Sequence, residues 1–174
     1  IMSFVPVWTR IQDAAVALLR GLVYVLAVLS GLSVMVMIAI TCADVVLRLP
    51  LINRPFMGAY DIVRIAGAVA LAAALPYTTA VKGHVAIEFF FHKLNRSSRL
   101  VVDSVMRLLS MALFAFLGWH SILFGLELHR TKQVSQTLNL PIFWLPMVIG
   151  CCCFVVVLVV THHLVYPNRE VIKP

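Results

Sequence analysis

Four long runs of the chain carry no charged residue, and they set its architecture. Residues 21–43 form the first. As a helix they extend about 34 Å, more than the roughly 30 Å of a bilayer core. Comparable runs occupy residues 65–81, 108–126 and 142–161. Between them the pattern changes to shorter segments that are apolar on one side. Residues 3–20 place Trp8, Ile11, Ala15, Leu18 and Leu19 on one helical stripe, with Arg10, Asp13 and Arg20 outside it. That spacing predicts an interfacial helix leading into the first span. Residues 84–95 repeat the device, with Ile87, Phe90, Phe91 and Leu94 on one stripe and Glu88, His92 and Lys93 off it. This segment is too short to cross a bilayer and predicts a flat helix held at the surface by those four side chains. The fold class expected is an all-α integral membrane protein of one domain, residues 1–174, with four transmembrane helices plus interfacial amphipathic helices.

The span ends carry turn and pairing signals. Asp44 and Arg48 stand four residues apart, a spacing that lets them pair on a helix. Pro50 and Pro55 make the segment between the first two spans irregular. Asp61 and Arg64 precede the second span, which is rich in alanine and contains Pro76, a kinking residue. Small residues let another backbone approach closely, so this span is expected to pack against another protein. Ser97 or Ser98 is placed to cap the third helix. Pro146 falls in the first turns of the fourth span, where proline costs least.

Composition agrees with lipid as the solvent. Of 174 residues, 62% are hydrophobic and 12% charged, against about 45–50% and about 25% in soluble domains. The net charge of +7 reads as attraction to a membrane surface rather than to nucleic acid, because the basic residues lie between apolar runs. Arg10, Arg20, Lys82, Lys93, Arg96, Arg99, Arg107, Arg169 and Lys173 fall on the side shared by both termini and the central connection. Arg48, Arg54, Arg64, Arg130 and Lys132 fall on the other. The positive-inside rule therefore puts both termini in the cytoplasm. The beginning of the chain has no secretory pattern.

Reactive chemistry is sparse. No Asp, Glu, Lys or Arg lies inside the four core runs, so the chain offers no obvious site for a coupling ion. Cys151, Cys152 and Cys153 fan out around a helix and cannot converge on one metal. His120 falls in the outer half of the third span, whereas His162 and His163 end the fourth on the opposite side, so the two sets cannot bracket one haem. A buried His120, hydrogen-bonded to a neighbouring helix, and interfacial His162 and His163 are the expectations. No phosphate loop or hydrolase arrangement occurs, and the chain is expected not to be an enzyme or to hold a cofactor.

Three segments, in order among four spans, resemble the small membrane subunit, the four-helix Q-type component, of tripartite ATP-independent periplasmic (TRAP) transporters. The first is Asp44 to Arg48 with Asn53, Arg54 and Pro55. The second is His84 to Glu88 and Phe89. The third is Ser135, Leu138 and Pro141, followed by Trp144 and Pro146. Where the family commonly has Trp and paired acids before the second span, this chain has Gly58, Ala59, Tyr60 and Asp61. The resemblance implies a heteromeric symport system for organic acids. A large multi-span permease subunit would hold the coupling sodium and the substrate, and a periplasmic substrate-binding protein would deliver that substrate. This chain would brace the permease, with Arg48, Arg54, Arg130 and Lys132 as a docking face for the binding protein. The alternative is the membrane anchor of an electron-transfer enzyme, which bound haem would reveal.

Overall fold

The computed structural model describes residues 5–49, 56–81 and 96–165. They form four helices: α1, Val5–Leu47; α2, Ala59–Ala80; α3, Arg96–Arg130; and α4, Trp144–Val165. Each contains a segment long and apolar enough to cross a membrane: Ala14–Leu47, Ala59–Ala80, Ser104–Arg130 and Trp144–Leu164. The only β pairing among the described residues is a single bridge between Val134 and Pro141. The chain is a multi-pass helical membrane protein.

Helix α1 is continuous from Val5 to Leu47, so one helix covers both the segment read as interfacial and the first span. No proline follows Pro6 until residue 50, and Gly21 has open space around it. Nothing local breaks the hydrogen-bond ladder there. Helix α3 begins at Arg96, which places Ser97 and Ser98 in its first turn rather than ahead of it. Helix α2 runs on through the buried Pro76. The flat helix expected at residues 84–95 lies outside the described residues.

The helices form a row, α1–α2–α4–α3, in which each packs extensively only on its neighbours. The meeting points fix their directions. Ser30 donates to the Ala70 carbonyl at 2.8 Å, and Val23 packs in one cluster with Ala80 and Val159. Thus α1 and α2 are antiparallel, and α2 and α4 are parallel. Arg107 donates through Nη1 to the His163 carbonyl, and Gly125 faces Met147, so α3 and α4 are antiparallel. The central pair is buried over 33% of each span window, against 6% for α1 and 11% for α3.

Small residues make the row possible. Lipid tails are as apolar as leucine, so helices associate in a bilayer through close packing and interhelical hydrogen bonds. On α2, Ala59, Ala66, Ala70, Ala73 and Ala80 are buried. This alanine stripe was expected to face another protein; instead α1 and α4 of the same chain cover it, because α2 sits second in the row. The α3–α4 seam is closer still. A Cβ on Gly150 would stand 2.8 Å from Cγ1 of Ile122 and 3.0 Å from the Gly118 carbonyl oxygen. A Cβ on Gly125 would stand 3.0 Å from Cγ of Met147. Gly118 and Gly125 are seven residues apart, two helical turns, and so share the face that meets Gly150.

That seam corrects the expectation for His120. Two residues beyond Gly118 is about 200° around the helix, so the imidazole points away from α4 and is exposed. Its ring meets Phe116 on its own helix, with centroids 4.3 Å apart. A seam tight enough to need glycine leaves no room for an inward ring. His163 is buried in the last turn of α4, and half-buried His162 lies beside it. Cys151 is exposed while Cys152 and Cys153 are buried, as residues 100° apart should be.

Candidate functional site

Among the described residues, a cluster of polar groups stands where α1 ends, α2 begins and α3 turns into α4. At the end of α1, Asp44 accepts a charge-assisted hydrogen bond from Arg48 Nε at 2.8 Å. Its other oxygen accepts the Phe56 N–H at 3.2 Å. One carboxylate therefore holds its own helix end and the segment that enters α2.

The α3–α4 connection is built with more care than its length suggests. Helix α3 stops in a Schellman arrangement: Gln133 N–H reaches the Leu128 carbonyl at 3.2 Å, and Lys132 N–H reaches that of His129 at 3.3 Å. This motif requires a left-handed residue between helix and loop, usually glycine. Lys132 takes that position here, with φ 50°. Residues 134–141 then fold as a small hairpin, closed by the Val134–Pro141 bridge and by Ser135 N–H on the Leu140 carbonyl at 2.8 Å. Asn139 makes the bend at φ 52°, a conformation its short polar side chain tolerates better than most. Pro146 lies in the first turn of α4, where its missing N–H would have had no helical partner.

The hairpin tip turns its donors toward α2. Asp61, in the first turn of α2, is 2% exposed. One of its oxygens accepts the Thr137 N–H at 2.9 Å and the Leu138 N–H at 3.0 Å. The Thr137 hydroxyl donates to the same oxygen, and the buried Ser135 hydroxyl is also directed at the carboxylate. The contact is made close by Gly58, where a Cβ would lie 2.8 Å from Cδ2 of Leu138. An acidic group in the first turn of α2 also suits the positive end of the helix dipole. The arrangement is acceptor on one element and donors on another, with no nucleophile or proton relay; it is a clamp. Among the described residues no group of three His, Cys, Asp or Glu could hold a metal.

Of the residues singled out from sequence, Asp44, Arg48, Asp61, Ser135, Leu138 and Pro141 come together at this end. Arg64 is exposed on the second turn of α2, and Arg130 and Lys132 are exposed at the end of α3. Asn53, Arg54, Pro55, His84, Ile87, Glu88, Phe90, Phe91 and Leu94 lie outside the described residues. Sequence reading missed Thr137 as a donor to Asp61 and Gly58 as the point of close approach. Two turn-forming segments, one on each side of a pair of spans, were the only hint that they might meet.

Comparison with known proteins adds one finding. No match was found among curated proteins or among solved structures. A family model described as "Tripartite ATP-independent periplasmic transporters, DctQ component" matches residues 37–169, the region that holds the clamp, the end of α1 and all of α2, α3 and α4. The chain belongs to that family: it is a DctQ component of the tripartite ATP-independent periplasmic transporters.

Proposed function

We propose that this chain is the small scaffold subunit of a sodium-coupled, binding-protein-dependent transporter for organic acids. It braces a large permease subunit and helps to dock a periplasmic substrate-binding protein. It resides in a bacterial inner membrane with both termini cytoplasmic, so that the Asp44 and Asp61 end faces the periplasm. The supporting observation is where charge does and does not occur. The core runs hold no Asp, Glu, Lys or Arg, whereas Asp44 and Asp61 tie the loops at one end to the helices. A subunit that binds a coupling ion needs polar ligands near the midplane; a scaffold needs fixed loops. Exposed Arg64, Arg130 and Lys132 around the clamp supply positive charge that can steer a partner with acidic patches.

The test is reconstitution. In liposomes with a sodium gradient the purified chain alone should take up no organic acid. With the co-purified large subunit, uptake should appear and should require the binding protein. Sodium-driven uptake by this chain alone would refute the scaffold role. Charge reversal of Arg130 and Lys132 to Glu should slow uptake and change its salt dependence without reducing assembly; salt-independent, unaltered kinetics would refute docking at this end.

A further inference from the structure

The row of helices has two free edges, α1 and α3, and their outward faces differ in chemistry. On the middle of α1 the exposed large side chains are plain aliphatics, among them Val25, Val28, Leu32, Met35 and Ile38; the exposed Tyr24 lies near the start of the charge-free run, and its ring meets Tyr77 of α2. Three hydroxyls of this helix are satisfied within the chain: Ser30 on the Ala70 carbonyl, Ser33 on that of Leu29 at 2.8 Å and Thr41 on that of Met37 at 2.7 Å. Such a surface suits lipid. On α3 the outward stripe runs through Leu109, Leu113, Phe116, His120 and Phe124, with Trp119 at its flank. Trp119 and His120 sit two and three residues from the centre of the span Ser104–Arg130, within about 5 Å of mid-membrane along the helix axis. The structure shows ring contact with Phe116 for His120, and no hydrogen bond for either ring among the described residues.

Two polar-headed rings at that depth are out of place in lipid. Tryptophan favours the headgroup level, where its N–H meets water. Intramembrane histidines almost always face protein or a water-filled cavity. The 200° turn from the glycine seam to His120 means that no rotamer brings the imidazole back to α4. We infer that α3, not α1, is the protein-facing edge of this subunit, and that its outward stripe packs against a transmembrane helix of the large permease subunit that offers hydrogen-bonding groups to Trp119 and His120 near the midplane. This rests on the scaffold reading above. On that reading the chain holds a membrane partner, and the α3 edge carries the groups that need one.

The experiment uses the full chain co-expressed with its cognate large subunit, with a photo-crosslinking amino acid introduced on each edge. Probes replacing Leu113 and Phe124 on α3 should crosslink to the large subunit, and probes replacing Val28 and Met35 on α1 should not. In the same complex His120→Leu should weaken association by about three- to twentyfold, the usual worth of an interhelical hydrogen bond in a bilayer, and His120→Gln should restore part of it. Crosslinks from α1 but not α3, in a complex that still co-purifies, would overturn this assignment and leave the scaffold reading intact. Crosslinks from α3 to a second copy of this chain, or to lipid alone, would overturn it equally. Failure of the two subunits to form any complex would overturn both.

Discussion

Replacing Asp61 by alanine should free the α3–α4 hairpin without unfolding the helices. The clamp consists of two backbone bonds, 2.9 and 3.0 Å long, plus the Thr137 hydroxyl, all on one carboxylate oxygen, with the Ser135 hydroxyl directed at the same carboxylate. A hydrogen bond to a charged partner shifts an opening equilibrium by roughly tenfold or more. The bonds share an acceptor, so their losses do not multiply freely; jointly they should accelerate opening by about 100-fold. Asp61→Asn keeps a carbonyl oxygen but loses the charge assistance, which roughly halves each bond's strength, and about tenfold is expected. Thr137→Val removes the hydroxyl alone and should cost about three- to tenfold. Amide hydrogen exchange at Thr137 and Leu138 reads the opening directly, and the α4 amides of Val156 and Val159, both fully buried, report whether the helices stay folded. The double variant D61A/T137V should exchange no faster than D61A, because the hydroxyl has no acceptor left to lose. Exchange at Thr137 and Leu138 within threefold of the parent in D61A would refute the clamp. Equal acceleration at Val156 and Val159 would mean that Asp61 holds the whole fold rather than the hairpin.

Three further outcomes follow from the same geometry. Gly150→Ala should destabilise the chain by roughly 1–3 kcal/mol through overpacking of the α3–α4 seam, whereas Gly31→Ala, where a Cβ meets nothing within 4 Å, should be neutral or stabilising by up to about 1 kcal/mol; reversible unfolding in mixed micelles compares them, and equal effects would refute the seam. Lys132→Gly relieves a left-handed backbone at φ 50° and should stabilise the end of α3 by about 0.5–1 kcal/mol, read as slower exchange at the Gln133 amide, while slowing any electrostatically steered docking. Asp44→Asn loses an exposed ion pair worth roughly 0.2–1 kcal/mol, and its effect on stability should fade in high salt; a large, salt-independent loss would show that the Phe56 bond dominates.

The spans and the all-helical class were legible because the bilayer imposes a single requirement on every crossing segment: backbone groups satisfied internally and no stranded charge. That requirement leaves the lateral order of helices unmarked. Charge-free runs are equally compatible with a closed bundle and with a row, so the sequence carried the order only in its small residues. The alanines of α2 mark a packed face and suggest a foreign partner as readily as a neighbouring helix, since periodicity says that a face is packed and not by what. Gly118, Gly125 and Gly150 carried the α3–α4 seam at a two-turn spacing that a search for glycine pairs would have found. With that seam unrecognised, His120 was placed inward when its position relative to Gly118 turns it outward. Asp44 and Arg48 pair locally and were readable from a four-residue spacing. Asp61 and Thr137 are 76 residues apart, and nothing periodic connects them.

The two carboxylates divide the bracing between them in a way that bears on the proposed role. Asp44 fastens the lead-in of α2 to the end of α1, and Asp61 fastens the start of α2 to the hairpin joining α3 and α4. Every helix in the row therefore has its end tied to a neighbour's loop through α2, the alanine-rich helix packed between α1 and α4. A load applied to the hairpin by a docked protein passes through Asp61 into α2 and from there to both flanks, rather than bending one loop. A loop tied only by its own turn would yield first, since loops with few buried contacts open at low free energy. In the proposed role the Asp61 clamp is where a docking surface would meet the membrane scaffold mechanically: in the freed hairpin of D61A, Thr137 and Leu138 should exchange fast while assembly with the large subunit persists, and substrate uptake should fall because a docked protein would no longer push against anything fixed.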